Sequence, residues 1–117
     1  MIKIAYDLIQ ELGVPMHLYG AVYLMDAIRY SIKDPTLTDE LHNRLYPKIA
    51  DLYGLTPGAI EKTIRVAVEE MFAKGNMDYI YELCGDSVSP DKAKLTNKKF
   101  IKACVEEVRR RLQQEEG

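Results

Sequence analysis

Along this 117-residue chain, apolar residues recur at helical spacing, and glycines and prolines separate the periodic stretches. An amphipathic helix repeats its apolar positions at i, i+3, i+4 and i+7, whereas a half-buried strand alternates at every second position. No window of the sequence sustains the strand alternation. The pattern therefore predicts an all-α fold, a compact bundle of about six helices that forms a single domain over residues 1–117.

Start and stop signals set the boundaries of these helices. Gly13 and Gly54 follow periodic stretches as stop signals, while Thr56 precedes one as an N-cap. The stretch DPTLTDELHNRLYP reads as a connector with one short helical turn, in which Thr36 and Asp39 have capping-box spacing. The predicted helices span about 2–12, 17–33, 46–53, 57–74, 77–83 and 97–112.

The stretch IADLYGLTPGAIEKTIRVAVEEM, residues 49–71, predicts two helices with an abrupt corner between them. A helix-turn-helix needs two short helices joined by about three residues. Ala50 supplies a small residue where the helices approach, and Gly54 tolerates a left-handed turn. These features predict a helix-turn-helix over about 46–73 with a recognition helix over about 57–73; a tight bend in an ordinary helical bundle is the alternative. The apolar seam is expected from Ile49, Tyr53, Leu55, Ile60 and Ile64.

The polar side of the second helix carries the candidate chemistry. Lysine and arginine donate to O6 and N7 of guanine, and glutamate accepts from N4 of cytosine. Because residues near the N-terminus of a recognition helix meet base edges, Glu61, Lys62 and Arg65 are candidates for base contacts. A solvated face with charge pairs at i,i+3 and i,i+4 explains the same residues equally well.

The distribution of charge bears on a nucleic-acid function. The net charge is −2, although phosphate binding usually shows as an excess of lysine and arginine. Residues 90–112 nevertheless contain eight basic and three acidic residues, and the remainder of the chain is acidic. One basic face would allow an acidic protein to bind DNA, and a solvated charged helix is the alternative.

Other chemistry finds little support in the sequence. Cys84 and Cys104 lie in apolar helical contexts, which predicts buried thiols in a reducing compartment and no zinc site. Glu69 and Glu70 are consecutive and diverge on a helix, so neither an enzyme nor a cofactor is predicted. No stretch approaches the roughly 20 apolar residues of a membrane span, and the N-terminus lacks a signal-peptide pattern. We expect a cytoplasmic protein that does not bind a membrane.

Four stretches occur in an order typical of one family: LIQELGVPMHLYGAVYLMDAI, LYPKIADLYGLTPGAIEKTIRVAVE, FAKGNMDYIYELCG and KAKLTNKKFIKACVEEVR. With them the chain resembles the C-terminal DNA-binding effector domain of the sporulation master response regulator of endospore-forming Firmicutes. The resemblance implies a helical domain that binds double-stranded promoter DNA, often as head-to-tail copies on tandem sites. It also implies transcription regulation that involves RNA polymerase and its sigma subunit.

The resemblance further implies a set of DNA-contacting residues, some of which depart from the family. The family has arginine at the positions of Ala59 and Lys62 and histidine at Val66, whereas Glu61 and Arg65 match. Because alanine and valine offer no hydrogen-bond donor, we expect an altered or weaker site preference. The implied residues are Thr56, Gly58, Ala59, Glu61, Lys62, Arg65, Val66, Lys92 and Lys94.

Two alternatives stand beside this prediction. The family protein carries an N-terminal receiver domain for which this chain has no room, so either an excised fragment or a stand-alone homologue is expected. An interaction module that keeps the fold and has lost most DNA contacts is the second function, motivated by the net acidity and by Ala59 and Val66. Its partner surface is expected around Tyr19, Tyr23 and Tyr30.

Overall fold

The chain folds into six α-helices, in a computed structural model that describes residues 1–89 and 94–116. The all-α prediction is confirmed. In the described residues no strand forms, and an isolated bridge between Ser89 and Lys94 is the nearest approach to one. The helices are α1 (Ile2–Leu12), α2 (Tyr19–Lys33), α3 (Tyr46–Tyr53), α4 (Pro57–Lys74), α5 (Met77–Cys84) and α6 (Asn97–Glu116).

The ends of these helices follow local signals in the sequence. α1 ends at Gly13 with φ 92° and α3 ends at Gly54 with φ 64°, a left-handed conformation that glycine adopts without a Cβ clash. Thr56 Oγ1 accepts an amide N–H from the first turn of α4 at 3.1 Å. Asn76 and Thr96 cap α5 and α6 in the same way. The predicted N-cap at Thr56 and the predicted stops at Gly13 and Gly54 are therefore confirmed.

The start of α2 differs from the prediction. The helix begins at Tyr19, whereas the sequence pattern extends it to His17. The amide of Leu18 donates to the main-chain oxygen of Pro15 at 3.1 Å, so a turn occupies these residues before the helix begins.

The connector between α2 and α3 contains more helix than the single predicted turn. A 3-10 helix covers Pro35–Asp39, and a π-helix covers Leu41–Leu45. Asp34 caps the first of these, in place of the predicted capping box, because its Oδ1 accepts the amide N–H of Thr36 at 3.1 Å. Arg44 donates to Asp34 Oδ2 at 2.8 Å and thereby joins the two ends of the connector.

The fourth helix, α4, lies at the centre of the packing, against α2, α3 and α6. Its buried residues recur at helical spacing along one side of the helix, and this side docks on the body of the domain. None of the described helices combines the length and the apolarity that crossing a bilayer requires. The buried residues of α4 are Ile60, Ile64, Ala67, Val68 and Met71.

Candidate nucleic-acid interface

The corner between α3 and α4 has the elements that a helix-turn-helix requires. Three residues, 54–56, join the two helices. The amide of Leu55 donates to the main-chain oxygen of Ala50 at 3.0 Å, which closes the end of α3. Gly54 supplies the left-handed residue, and Thr56 begins the next helix as its N-cap. The turn is thus fixed by main-chain contacts on both sides.

The apolar seam at this corner differs from the prediction. Ile49, Ile60 and Ile64 are fully buried, as expected. Tyr53 and Leu55 are instead 41% and 43% exposed. Tyr53 contacts α2 through Tyr23 and Asp26 with only part of its ring, so the rest of its surface stays open to solvent.

The side of α4 that faces away from the core is open to solvent. Gly58, Lys62, Arg65 and Val66 are all exposed along the N-terminal half of this helix, and we call them the outward residues. A Cβ atom added to Gly58 would meet no atom within 4 Å. Among the described residues, no helix therefore covers the start of this surface.

An ion pair within α4 orients one of the outward residues. Arg65 Nε donates to Glu61 Oε1 at 3.0 Å across one helical turn. The side chain of Arg65 remains 47% exposed. Because the contact uses Nε, it leaves the two terminal nitrogens of the guanidinium for an acceptor outside the domain. The pair fits an oriented base-contacting arginine, and it also fits the solvated charge pair that the sequence allowed.

A groove runs between α4 and the N-terminus of α6, and we call it the α4–α6 groove. It is open and has a volume of about 240 Å³. Glu61, Arg65 and Glu69 line one wall, while Lys94, Asn97 and Lys98 line the other. The groove thus places two lysines, one in α6 and one just before it, beside a wall of the predicted recognition helix that carries one arginine and two carboxylates.

Asn97 holds the two walls of this groove together. Its Nδ2 donates to the main-chain oxygen of Glu61 and to the hydroxyl of Tyr46, both at 3.2 Å. Tyr46 is buried, and this burial raises the pKa of its hydroxyl, which stays neutral. Helical spacing gives no sign that Asn97 and Tyr46 belong to this region, because the contacts of Asn97 join residues far apart in the chain.

The predicted site residues do not all meet in one place. Arg65 and Lys94 line the same groove, whereas Lys62 points from α4 to solvent outside it. Ala59 is half-buried, and Thr56 serves as the cap of α4. Lys92 lies outside the described residues.

Within the described part of the basic segment, residues 94–112, the cations divide between contacts within the fold and exposure to solvent. Its C-terminal arginines stabilise the fold: Arg109 donates to the main-chain oxygen of Ile32 at 2.8 Å, and Arg110 and Arg111 both pair with Glu107. Lys102 pairs with Asp39 at 2.7 Å. Among the described residues of this segment, Lys94, Lys98 and Lys99 are exposed at or just before the start of α6, and Lys94 and Lys98 line the α4–α6 groove.

The three tyrosines of the predicted partner surface do not share one exposed surface. Tyr19 is 75% exposed, but Tyr23 is buried and Tyr30 is half-buried. Tyr23 packs on the ring of Tyr53 with the centroids 5.0 Å apart. The exposed apolar group at this corner therefore consists of Tyr19, Tyr53 and the neighbouring Leu52 and Leu55.

The chain matches the model of a known protein family. Residues 5–108 match the family model described as sporulation initiation factor Spo0A C terminal. The match spans most of the chain and includes α4 and the residues described at the start of α6. The protein therefore belongs to the Spo0A C-terminal family, a family of sporulation-type DNA-binding effector domains.

Proposed function

We propose that this chain is a sequence-specific duplex-DNA-binding transcription regulator of the sporulation type, with α4 as its recognition helix. One observation supports this most strongly. The N-terminal half of α4 leaves Lys62 and Arg65 exposed, while its opposite side docks on α2, α3 and α6. A helix that enters the major groove needs this combination of a covered side and a bare side.

The proposal gives different roles to the residues around the α4–α6 groove. Arg65 and Lys62 donate to guanine O6 and N7, with Glu61 orienting the guanidinium of Arg65. Lys94 and Lys98 neutralise backbone phosphates on the flank of the bound duplex. Because the arginines of α6 already have acceptors within the fold, we assign them no contact with DNA.

Family membership supports further parts of the proposal. The domain binds tandem sites as head-to-tail copies, and it contacts the sigma subunit of RNA polymerase. It acts in the cytoplasm, where its promoters are. Neither a metal nor an organic cofactor takes part in this function.

A mobility-shift titration over salt concentration tests the function on promoter-derived duplexes. Affinity should fall linearly in log–log coordinates as salt rises, because phosphate neutralisation releases counterions. The double variant Lys62→Ala/Arg65→Ala should lose preference for the specific duplex. The proposal would be overturned if no binding occurs at low salt, or if the affinity does not change with salt concentration.

Lys33→Ala is the matched control for the loss of positive charge. Gly20 of α2 touches α4 at Thr63, and Lys33 lies thirteen residues further along α2, at about 20 Å from Gly20. Lys33 is exposed at that far end. Its removal should leave both affinity and sequence preference close to those of the wild type.

The exposed apolar residues at the α3–α4 corner favour a second function, as a protein-interaction module. Tyr19 and Leu52 are 75% and 50% exposed beside this corner. The variant Tyr19→Ser/Leu52→Ser, assayed by promoter transcription with purified RNA polymerase holoenzyme, separates the two functions. Loss of activation with unchanged DNA affinity supports a protein partner, whereas unchanged activation excludes that partner.

A further inference from the structure

A stripe along the side of α4 away from the core combines the exposed side chains of Lys62 and Val66 with the half-buried side chain of Ala59. Ala59, Lys62 and Val66 stand at i, i+3 and i+7, so they lie along one side of the helix. This stripe is nearly opposite the buried one that contains Ile60 and Ile64. Val66 is 42% exposed although its side chain is fully apolar.

The apolar members of the stripe limit what α4 can recognise. Neither alanine nor valine can donate to a base or accept from one. Against guanine or cytosine, each would bury a polar base edge without a partner, which is unfavourable. The C5-methyl group of thymine is the apolar group that a base edge offers in the major groove. Contact with this methyl group is therefore the favourable alternative for both residues.

The charges of α4 indicate where its contact with DNA ends. Glu69 is exposed less than one turn beyond Val66, and Glu70 follows it. Carboxylates at these positions would repel phosphates, so the helix meets DNA with its N-terminal half. Val66 then lies at the last contacting turn, and Ala59 lies near the first.

We propose, on the basis of the DNA-binding function above, that Ala59 and Val66 make α4 a reader of thymine methyl groups. The two residues are seven positions apart, or about 10.5 Å along the helix axis. Since base pairs stack at about 3.4 Å, a helix that runs parallel to the DNA axis places the two methyl groups about three base-pair steps apart, and an inclined helix places them closer. Lys62 contacts a base between them.

Replacement of thymine by deoxyuridine provides the test, because it removes the methyl group and keeps the hydrogen-bonding edge. The preferred duplex is first selected from a randomised library with the full chain. Each thymine is then replaced in turn, and affinity is measured by fluorescence anisotropy. Two positions no more than about three steps apart should each lose about fourfold in affinity, the value of one buried methyl group.

The variant Val66→Ala assigns one of these positions. It should weaken binding to the thymine duplex and remove most of the deoxyuridine effect at one position only. Val66 is exposed, so this variant keeps the core intact, which its circular dichroism and melting temperature verify. The matched control is Ala73→Gly, an exposed position of α4 beyond the acidic residues, which should leave the deoxyuridine effects unchanged.

The possible outcomes distinguish failure of the methyl-reading proposal from failure of the proposed DNA-binding function. A selected duplex whose affinity is insensitive to deoxyuridine at every position overturns the methyl-reading proposal and leaves sequence-specific binding intact. Deoxyuridine effects that persist undiminished at both positions in Val66→Ala overturn the role of Val66. Failure of the library to yield any preferred duplex overturns both proposals.

Discussion

A Cβ atom on Gly20 of α2 would lie 2.5 Å from the Cβ of Ala67 on α4. It would also lie 2.6 Å from the main-chain oxygen of Thr63. Neither atom is the far end of a flexible side chain, so no rotation relieves the contact. The close approach of α2 to the helix that carries the candidate interface therefore depends on the missing side chain at residue 20.

The substitution Gly20→Ala should lower the free energy of unfolding by about 1–3 kcal/mol, because it overpacks this contact. The gain of up to about 1 kcal/mol in helix propensity offsets only part of the loss. Urea denaturation followed by circular dichroism measures the change.

Gly58→Ala is the control for helix propensity. A Cβ at this position meets no atom within 4 Å, and the residue lies in the first turn of α4. This variant should be as stable as the wild type or more stable, by up to about 1 kcal/mol. Equal destabilisation by the two variants would show that the α2–α4 contact is not the cause.

The helices could be predicted because their boundaries depend on local signals. Thr56 and Pro57 start α4, and Gly13 and Gly54 end α1 and α3, each through contacts within a few residues. The buried stripe of α4 likewise follows from spacing alone. The connector could not be predicted in the same way, since the contact of Arg44 with Asp34 joins residues that lie ten positions apart.

The surroundings of α4 could be predicted only in part. Spacing indicates that Arg65 points away from the core, but it does not show that Asn97, thirty-six residues beyond Glu61, contacts the same helix. Composition likewise indicates a basic segment, but it does not show that Arg109 donates a hydrogen bond to the main chain at the end of α2. Contacts of this kind are set by tertiary packing, which a single sequence does not display.

Asn97→Ala should cost about 1–2 kcal/mol of stability, because it removes the donor shared by Tyr46 and Glu61. Tyr46→Phe should lower stability by a smaller amount, because it removes only one of these two hydrogen bonds. The double variant should lose less stability than the sum of the two single losses, by a coupling energy of about 0.5–1 kcal/mol. Asn43→Ala, at an exposed position, is the control. Full additivity would mean that the hydrogen bond between Asn97 and Tyr46 contributes nothing.

Glu107 should make stability depend on acid pH. Hydrogen bonds from Arg110, at 2.7 Å, and from Arg111 lower the pKa of this carboxyl from 4.5 to about 2. The stability that ionised Glu107 contributes is therefore fully present above pH 4.5, the pKa of this group in the unfolded chain. This stability is lost as the pH falls toward 2, the pKa in the folded protein. The stability difference between the wild type and Glu107→Gln should be about 1–2 kcal/mol at neutral pH.

Denaturation curves across this acid range measure the effect. The difference should shrink steadily below the unfolded pKa, because protonated glutamate and glutamine carry the same charge. Glu106→Gln, at the exposed neighbouring position, should change stability by less than about 0.5 kcal/mol at every pH. A difference for Glu107→Gln that does not vary with pH would contradict the assignment.

The two thiols should resist alkylation in the native protein. Burial raises the pKa of Cys84 to about 11 and that of Cys104 well above its ordinary range. Little thiolate forms at mildly alkaline pH, and the reagent has no access to the side chains. Mass spectrometry after iodoacetamide treatment should find no addition under native conditions and two additions in denaturant. Rapid native labelling of Cys104 would show that this part of the core opens easily.

Lys94 and Arg65 face the same groove, but they should affect DNA binding differently. If Lys94 neutralises one phosphate, Lys94→Ala should reduce the slope of log affinity against log salt by about 0.9 and leave sequence preference unchanged. Arg65→Ala should relax the preference at one base pair by about 1–3 kcal/mol, since a base contact discriminates between sequences. Competition binding with a panel of single-site duplex variants over several salt concentrations measures both quantities. Identical profiles for the two variants would mean that the groove provides only general electrostatic attraction, and that recognition of the sequence lies on another surface.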